Sequence, residues 1–281
     1  MTYRELINKY SEIIRSDYEL ELEGIEFIIQ EITNFSRSEL ILNLDKNVCN
    51  IDLLSEKLDM YCIKKIPAQY VIGYTYFYGL KIYVNKNVLI PRFDTEIVVE
   101  KVIEYLQNKK KVLRIIDVGT GSGAIAIALA NNNKESVVEA VDISEEALNT
   151  TIYNSMKNNV NIRIYKSDLL DEVDGYYDCI ISNPPYIDEF DESEGLMNIV
   201  RNNEPHLALF SDDHGLAHYK KLIKQSLEHL NDDGVIFLEI PDNKCDEIVK
   251  YASDYYKEIL IYRDYNNLRR VLRIGVKKWK Y

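Results

Sequence analysis

The chain has 281 residues, 46% of them hydrophobic and 28% charged, which suits one large globular domain or two. Acidic side chains outnumber basic ones by 46 to 34, for a net charge of −12. That argues against a protein that holds nucleic acid by neutralising its phosphates. No apolar run nears the roughly 20 residues of a bilayer span, and the start "MTYRELINKYSEIIR" is charged and helix-periodic, unlike a signal peptide. Cys49, Cys62, Cys179 and Cys245 form no C-x-x-C pair. A cytoplasmic protein with buried free thiols is expected, with no structural metal and no membrane contact.

Residues 1–73 carry helical signals. Leu6, Ile7, Tyr10, Ile13 and Ile14 recur near one face, and "GIEFIIQEITN" and "IDLLSEKLDMYCIKK" repeat the pattern. Ser36 precedes Glu39 by three residues, the spacing of a capping box. At Tyr70 the texture changes to aromatic and β-branched residues. Gly73 and Gly79 punctuate this stretch and Asn85 to Asn87 suit a turn, so residues 74–92 are expected to form a β-hairpin linker. "DTEIVVEKVIEYLQNKKK" then opens a helix with an acidic first turn and a basic last turn, matching the helix dipole.

Residues 93–281 read as one catalytic domain. From Val112 strands and amphipathic helices alternate, through "VLRIIDV", "SVVEAVD", "VNIRIYK", "YDCIIS", "GVIFLEI", "YKEILIY" and "RRVLRIGV". That order implies an α/β fold with a seven-stranded, mostly parallel sheet covered on both faces. Only "RDYNNL" joins the last two strands, too short for a parallel crossover, so the last strand is expected to run antiparallel. The tail "RRVLRIGVKKWKY" is the best basic patch, read as a strand with charged solvent-facing positions.

The first chemical signal is "IIDVGTGSGAIAIALA", a buried strand, a glycine turn and a small-residue helix. Gly119, Gly121 and Gly123, with Thr120 and Ser122 between them, permit close backbone approach to a ligand. The pattern suits S-adenosylmethionine (SAM) and NAD alike. Asp142 ends the next strand 19 residues beyond Gly123, where such folds place an acid on the ribose hydroxyls; the plain alternative is a helix cap. Asp168 follows the third strand and suits an adenine amino group or a turn. Asp117 is expected to tie down the loop instead of touching ligand.

The second signal is "SNPPYI" at the end of the fourth strand. Proline has no N–H and a pinned φ, so Asn183, Pro184, Pro185 and Tyr186 form a stiff array of acceptors. The Asn183 side-chain oxygen and the Pro184 carbonyl can each accept one N–H of an NH2 group. Tyr186 can supply an apolar wall, and its backbone N–H a donor. His214 and His218 are spaced i, i+4, but no acid at motif spacing supports a metal, and they read as solvent-facing helix residues.

"DVGTGSG", an acid ending the second strand and "NPPY" together resemble the class I SAM-dependent, Rossmann-like methyltransferases that act on amide or exocyclic nitrogen. "YVIGYTYFYGLKIYVNKNVLIPRFDTE" and "NNEPHLALFSDDHGLAHY" resemble the release-factor glutamine methyltransferase family (HemK/PrmC type). The resemblance runs from about Tyr70 to the end. It implies SAM as cofactor, peptide chain release factors as partners and N(5)-methylation of the glutamine in their GGQ motif. It also implies that Gly119 to Gly123 and Asp142 bind SAM, that Leu169 contacts the adenine side, that Asn183 also reaches the cofactor, and that Asn183 to Tyr186 clamp the glutamine. The N-terminal helices are expected to dock the substrate. Two departures stand out: "EIPDNK" has Pro241 and Lys244 where the family has Gly and Gln, and "RDYNNLRRV" lacks the family's frequent Gly, although Arg270 matches its Arg. An adenine-N6 methyltransferase on nucleic acid, a glutamine methyltransferase for a ribosomal protein and a non-catalytic SAM- or NAD-binding module are the competing readings.

Overall fold

Helix α1 (Tyr3–Ile14) starts where Thr2 and Glu5 satisfy each other's backbone amides. It buries Tyr3, Leu6, Tyr10 and Ile14. Ile13, expected on that face, is exposed, at the edge of the stripe that these four residues centre on. Helices α2 (Leu22–Thr33), α3 (Arg37–Leu42), α4 (Ile51–Cys62) and α5 (Ala68–Ile72) follow. Asn34 ends α2 in the left-handed region, and Ser36 and Glu39 form the expected capping box at α3. The inward faces of α1, α2 and α4 bury Leu6, Tyr10, Ile25, Ile28, Leu54 and Leu58 completely.

The hairpin is β1 (Tyr74–Phe77) and β2 (Leu80–Tyr83). Tyr78 and Gly79 both take positive φ, 49° and 74°, as a tight two-residue hairpin turn requires. Helix α6 (Phe93–Gln107) has the expected acidic first turn, Asp94 and Glu96, but stops before the lysines and has no basic residue in its last turn. The computed structural model describes residues 1–107, 109, 112–190 and 197–278, so most of the lysine run lies outside the described residues.

Next come β3 (Arg114–Val118), α7 (Ala124–Asn132), β4 (Val137–Asp142), α8 (Glu145–Lys157), β5 (Arg163–Lys166) and β6 (Tyr177–Ser182). Short turns α9 (Asn198–Asn203), α10 (His206–Leu209) and α11 (Asp212–Gly215) lead into α12 (Ala217–His229), β7 (Leu230–Glu239), α13 (Cys245–Ser253), β8 (Tyr256–Arg263) and β9 (Arg269–Lys277). The seven strands lie in the order β5-β4-β3-β6-β7-β9-β8. Strand β9 runs antiparallel to both neighbours and the other pairings are parallel. Central β6 is buried along its whole length, as expected of a strand covered on both faces.

The turn between β8 and β9 explains the missing family glycine. Asn267 takes the left-handed φ of +65° there, and Asp264 Oδ1 accepts from the amides of Asn266 and Leu268 at 2.9 and 2.8 Å. Asparagine is among the few non-glycine residues that tolerate this conformation. The arginines of β9 are paired, Arg269 with Asp242 and Asp246, Arg270 with Asp94 and Asp264, and Arg273 with Glu258. The described part of the basic tail is thus a strand whose arginines are ion-paired, and residues 279–281 lie outside the described residues.

The chain divides into two compact units. One comprises Met1–Tyr74 and, from far along the chain, the described residues 197–204; the other comprises the remainder. Within the first unit the Asn198 amide donates to Glu19 Oε1 at 2.6 Å and Asn203 Nδ2 to the Lys65 carbonyl at 2.9 Å. The sequence-based division at residue 73 leaves α9 with the catalytic domain; its contacts lie with the helices. Cys62, Cys179 and Cys245 are buried free thiols, as expected, whereas Cys49 is exposed. Among the described residues no helix is long and apolar enough to cross a membrane.

Candidate active site

Strand register brings distant residues into one row. Val118 of β3 lies opposite Val141 of β4 on one side and Ser182 of β6 on the other, and Ser182 lies opposite Leu238 of β7. The residues one step further, Gly119, Asp142, Asn183 and Glu239, therefore share the C-terminal edge of the sheet. The strand order reverses between β3 and β6, where ligand sites form in open α/β sheets. A cleft of about 260 Å³ opens at this edge. A larger depression of about 1270 Å³ lies at the opposite end, where β7 starts and β9 finishes, and touches none of the predicted site residues.

The glycine loop is held from behind. The Gly119 and Thr120 amides donate to the Val141 carbonyl. Asp117 Oδ2 accepts from Thr120 Oγ1 at 2.6 Å and from the Ala126 amide at 3.3 Å. This is the loop-tying role expected for Asp117. Burial pushes its carboxyl up to about 7, and Oδ1 has no partner. Added Cβ atoms at Gly119 and Gly121 would meet nothing within 4 Å, so these two backbones face open cleft. Gly123 differs: a Cβ there would sit 2.7 Å from Thr151 Cγ2. Thr120 and Ser122 are buried behind the loop, so of the five loop positions only Gly119 and Gly121 line the cleft.

Asp142 lines the cleft, with Oδ2 on the Gly121 amide and Oδ1 on the Ser144 amide, each at 2.9 Å. It is not the cap of α8; Ser144 is, through its hydroxyl and the Ala147 amide. Each carboxylate oxygen keeps a lone pair for a ligand hydroxyl. Burial raises the Asp142 pKa despite these amide bonds. Asp168 and Leu169 line the same cleft. Asp168 Oδ2 is already paired with Lys221 at 2.8 Å, and Leu169 takes the left-handed φ of +53°.

Asn183, Pro184 and Pro185 form the opposite wall of the cleft. Ser182 Oγ donates to the Val118 carbonyl at 2.6 Å and seals the seam between β6 and β3 just before them. Asn183 Nδ2 donates to Thr95 Oγ1 at 3.3 Å. Among the described residues no backbone donor reaches the Pro184 carbonyl. Tyr186, expected as a wall, does not line the cleft. Its ring packs against the core cluster of the sheet, and burial pushes its hydroxyl up to about 12.

Several contributors were not singled out in sequence or were read there in another role. Asn154 of α8 is fully buried and joins hairpin to glycine loop, with 2.8 Å bonds to both backbone groups of Tyr83 and to the Ser122 carbonyl. His218, read as a solvent-facing helix residue, instead lines the cleft. Its Nδ1 lies 2.7 Å from Ser211 Oγ, and burial lowers its pKa, keeping the ring neutral. His214 is exposed and faces Asp188 at 2.8 Å. Pro205 and Ala208, from the "EP-x-x-AL" stretch, complete the cleft wall. Gly215 follows at φ +82°, and a Cβ there would press within 2.1 Å of the Tyr186 carbonyl. Lys244, which departs from the family pattern, donates to the His214 carbonyl at 2.8 Å and so braces this turn. Among the described residues no cluster of His, Cys, Asp and Glu is placed to hold a metal.

Residues 95–209 match the family described as methyltransferase small domain. The release factor glutamine methyltransferase of Flavobacterium psychrophilum is 35% identical over 266 residues, covering 92% of this chain and 93% of its own. That of Streptococcus pneumoniae is 40% identical over 222 residues, covering 78% of each chain. Among solved structures, a methyltransferase from Pyrococcus furiosus superposes with a TM-score of 0.52 at 22% identity, over 70% of this chain and 90% of its own, which shows the fold alone. With a class I methyltransferase sheet and relatives this similar along most of their length, the chain belongs to the release factor glutamine methyltransferase family.

Proposed function

We propose that this protein transfers a methyl group from SAM to the side-chain amide nitrogen of the glutamine in the GGQ motif of peptide chain release factors. The observation that carries the reading is the meeting of two different sites on one cleft. Gly119, Gly121 and Asp142 form an open cradle with a carboxylate at its rim, and Asn183 and Pro184 present acceptors from the facing wall. Family membership narrows the acceptor to glutamine on a release factor.

SAM fits the residues present. The two exposed glycines admit a ligand against the backbone, Asp142 accepts ribose hydroxyls, and Leu169 and Pro205 offer apolar surface to a base. Asp168 is the candidate partner of the adenine amino group. When bound, the cofactor supplies a methyl group activated by its sulfonium charge. The protein's task is then to make a poor nucleophile react, since an amide lone pair is delocalised. Asn183 Oδ1 and the Pro184 carbonyl each accept one N–H of the glutamine amide. These bonds fix the nitrogen's face and gain strength as positive charge develops on it. Pro184 and Pro185 keep this array stiff. The methylated amide nitrogen is strongly acidic, so its proton can leave after transfer.

The test is to incubate the protein with SAM and a bacterial release factor and to map the GGQ peptide by mass spectrometry. Methylation of that glutamine is expected, and Asn183→Ala should abolish it while SAM affinity stays within about threefold. An unmodified glutamine under conditions where SAM binds would sink the substrate assignment. The helical unit is the proposed docking surface for the factor, so the intact factor should be a far better substrate than its excised GGQ peptide. Equal kcat/KM for the two would remove that role.

A further inference from the structure

His218 lines the cleft, yet the chemistry described above gives its ring no part. Its Nδ1 lies 2.7 Å from Ser211 Oγ, and its backbone amide donates to the same oxygen at 3.4 Å. Ser211 is buried, and its own amide donates to the Ile187 carbonyl at 2.9 Å, so this partner is held in place.

Helix α12 also fixes what stands beside the ring. His218 and Lys221 lie three residues apart on it and share a face. Lys221 Nζ holds Asp168 Oδ2 at 2.8 Å and Asp171 Oδ2 at 2.9 Å. One turn further on, Gln225 Oε1 accepts from the Leu170 amide at 3.3 Å. The loop after β5 is thus strapped to α12, and Asp168 and His218 line the cleft together.

A neutral imidazole has one N–H and one bare nitrogen, and its partners decide which is which. The Ser211 hydroxyl has one proton and two acceptors in reach, Nδ1 at 2.7 Å and the Asp212 carbonyl at 3.5 Å. The shorter contact has the length of a bond donated by a hydroxyl, whereas N–H donors usually sit at about 2.9–3.0 Å. The hydroxyl therefore donates to Nδ1. That leaves the ring proton on Nε2, the edge turned away from Ser211. Burial favours the neutral ring that this requires. Asp168 beside it only accepts. A donor and an acceptor side by side complement an adenine edge, where the amino group donates and the adjacent ring nitrogen accepts.

We propose that His218 sets cofactor specificity, its Nε2–H donating to the adenine ring nitrogen next to the amino group from which Asp168 accepts. Ser211 is a positioning residue that fixes the tautomer of His218. The inference rests on the reading of SAM as the cofactor. A hypoxanthine or guanine base would turn a carbonyl towards Asp168, acceptor against acceptor, so the pair selects adenine.

Calorimetry on the full chain with S-adenosylhomocysteine (SAH) and its 1-deaza, 3-deaza and 7-deaza analogues tests this without turnover. In wild type, carbon in place of the contacted nitrogen, N1 or N7, should weaken binding about tenfold, the equivalent of one net hydrogen bond. In His218→Ala that loss should shrink to within about twofold, a coupling that a merely structural role would not produce. The 3-deaza analogue lacks a nitrogen remote from the amino group, and its affinity relative to SAH should be alike in both proteins. His218→Gln, whose amide reaches the Nε2 position, should restore part of the sensitivity. In 15N NMR of the free protein, the His218 ring, assigned with His218→Gln, should carry its proton on Nε2 with Nδ1 bare. Ser211→Ala should shift it towards the other tautomer. Losses for the 1-deaza and 7-deaza analogues that persist unchanged in His218→Ala, or a wild-type ring protonated on Nδ1, would overturn the proposal. A wild type that binds no SAH would refute the cofactor reading and the proposal together. The coupling is read without a release factor, so a wrong substrate assignment would leave it unaltered.

Discussion

Gly121→Ala and Gly123→Ala change the same kind of residue two positions apart, and the structure expects them to fail differently. Both sites have positive φ, 58° and 83°, which costs an alanine about 1–2 kcal/mol. At Gly121 the cost to folding ends there, because the new Cβ meets nothing within 4 Å. At Gly123 the Cβ would lie 2.7 Å from Thr151 Cγ2 and 3.0 Å from Ile127 Cδ1. Thr151 is fully buried and its hydroxyl donates to the Gly121 carbonyl at 2.9 Å, so it cannot turn aside without losing that bond. Overpacking of this kind adds about 1–3 kcal/mol, for a total near 2–5 kcal/mol. Urea unfolding of the apo protein measures the two costs. Calorimetry with SAM measures the complementary effect, in which Gly121→Ala loses at least about tenfold in affinity because its methyl enters the cradle. If Gly123→Ala proved no less stable than Gly121→Ala, the distinction between a cradle glycine and a packing glycine would be wrong.

Asn154→Ala removes the three 2.8 Å hydrogen bonds of a fully buried side chain, so a loss of about 2–4 kcal/mol is expected in denaturant unfolding. A loss below about 1 kcal/mol would show that the hairpin does not depend on this side chain. Asp117 is an acid whose pKa rises on folding, to about 7, mainly through burial. Its stabilising contribution is therefore complete below about pH 4, declines as the pH climbs from there, and is lost by about pH 7. Asparagine keeps an acceptor for Thr120 and Ala126 without the charge. Asp117→Asn should gain on wild type between about pH 4 and 7 by up to about 1.4 kcal/mol per pH unit and level off above pH 7, and parallel stability profiles from pH 4 to 8 would contradict this.

Much of the site was legible because its parts are local patterns at strand ends. A glycine loop after β3, an acid ending β4 and Asn-Pro-Pro after β6 are each visible within a few residues. Parallel strands in register must then bring those ends to one edge. The same logic covers the antiparallel end of the sheet, since the β8–β9 connection is too short for anything else. Local patterns misled where a neighbour in space overrode them. His218 sits at helical spacing from His214, yet Ser211 and the cleft wall surround it. Tyr186 belongs to the motif, yet its ring turns into the core.

By itself the sequence determined the class of fold, the two halves of the cleft and the residue types facing each other across it, because strand and turn chemistry acts over a few residues. Tertiary structure decided how those halves are held. The bond from Asn183 to Thr95 spans 88 positions, that from Tyr83 to Asn154 spans 71, and that from Asn198 to Glu19 spans 179. Such partners follow from strand register and helix packing. No periodicity along the chain encodes them, and so the bond from Asn183 to Thr95 and the placement of α9 with the helical unit became visible only in the folded chain.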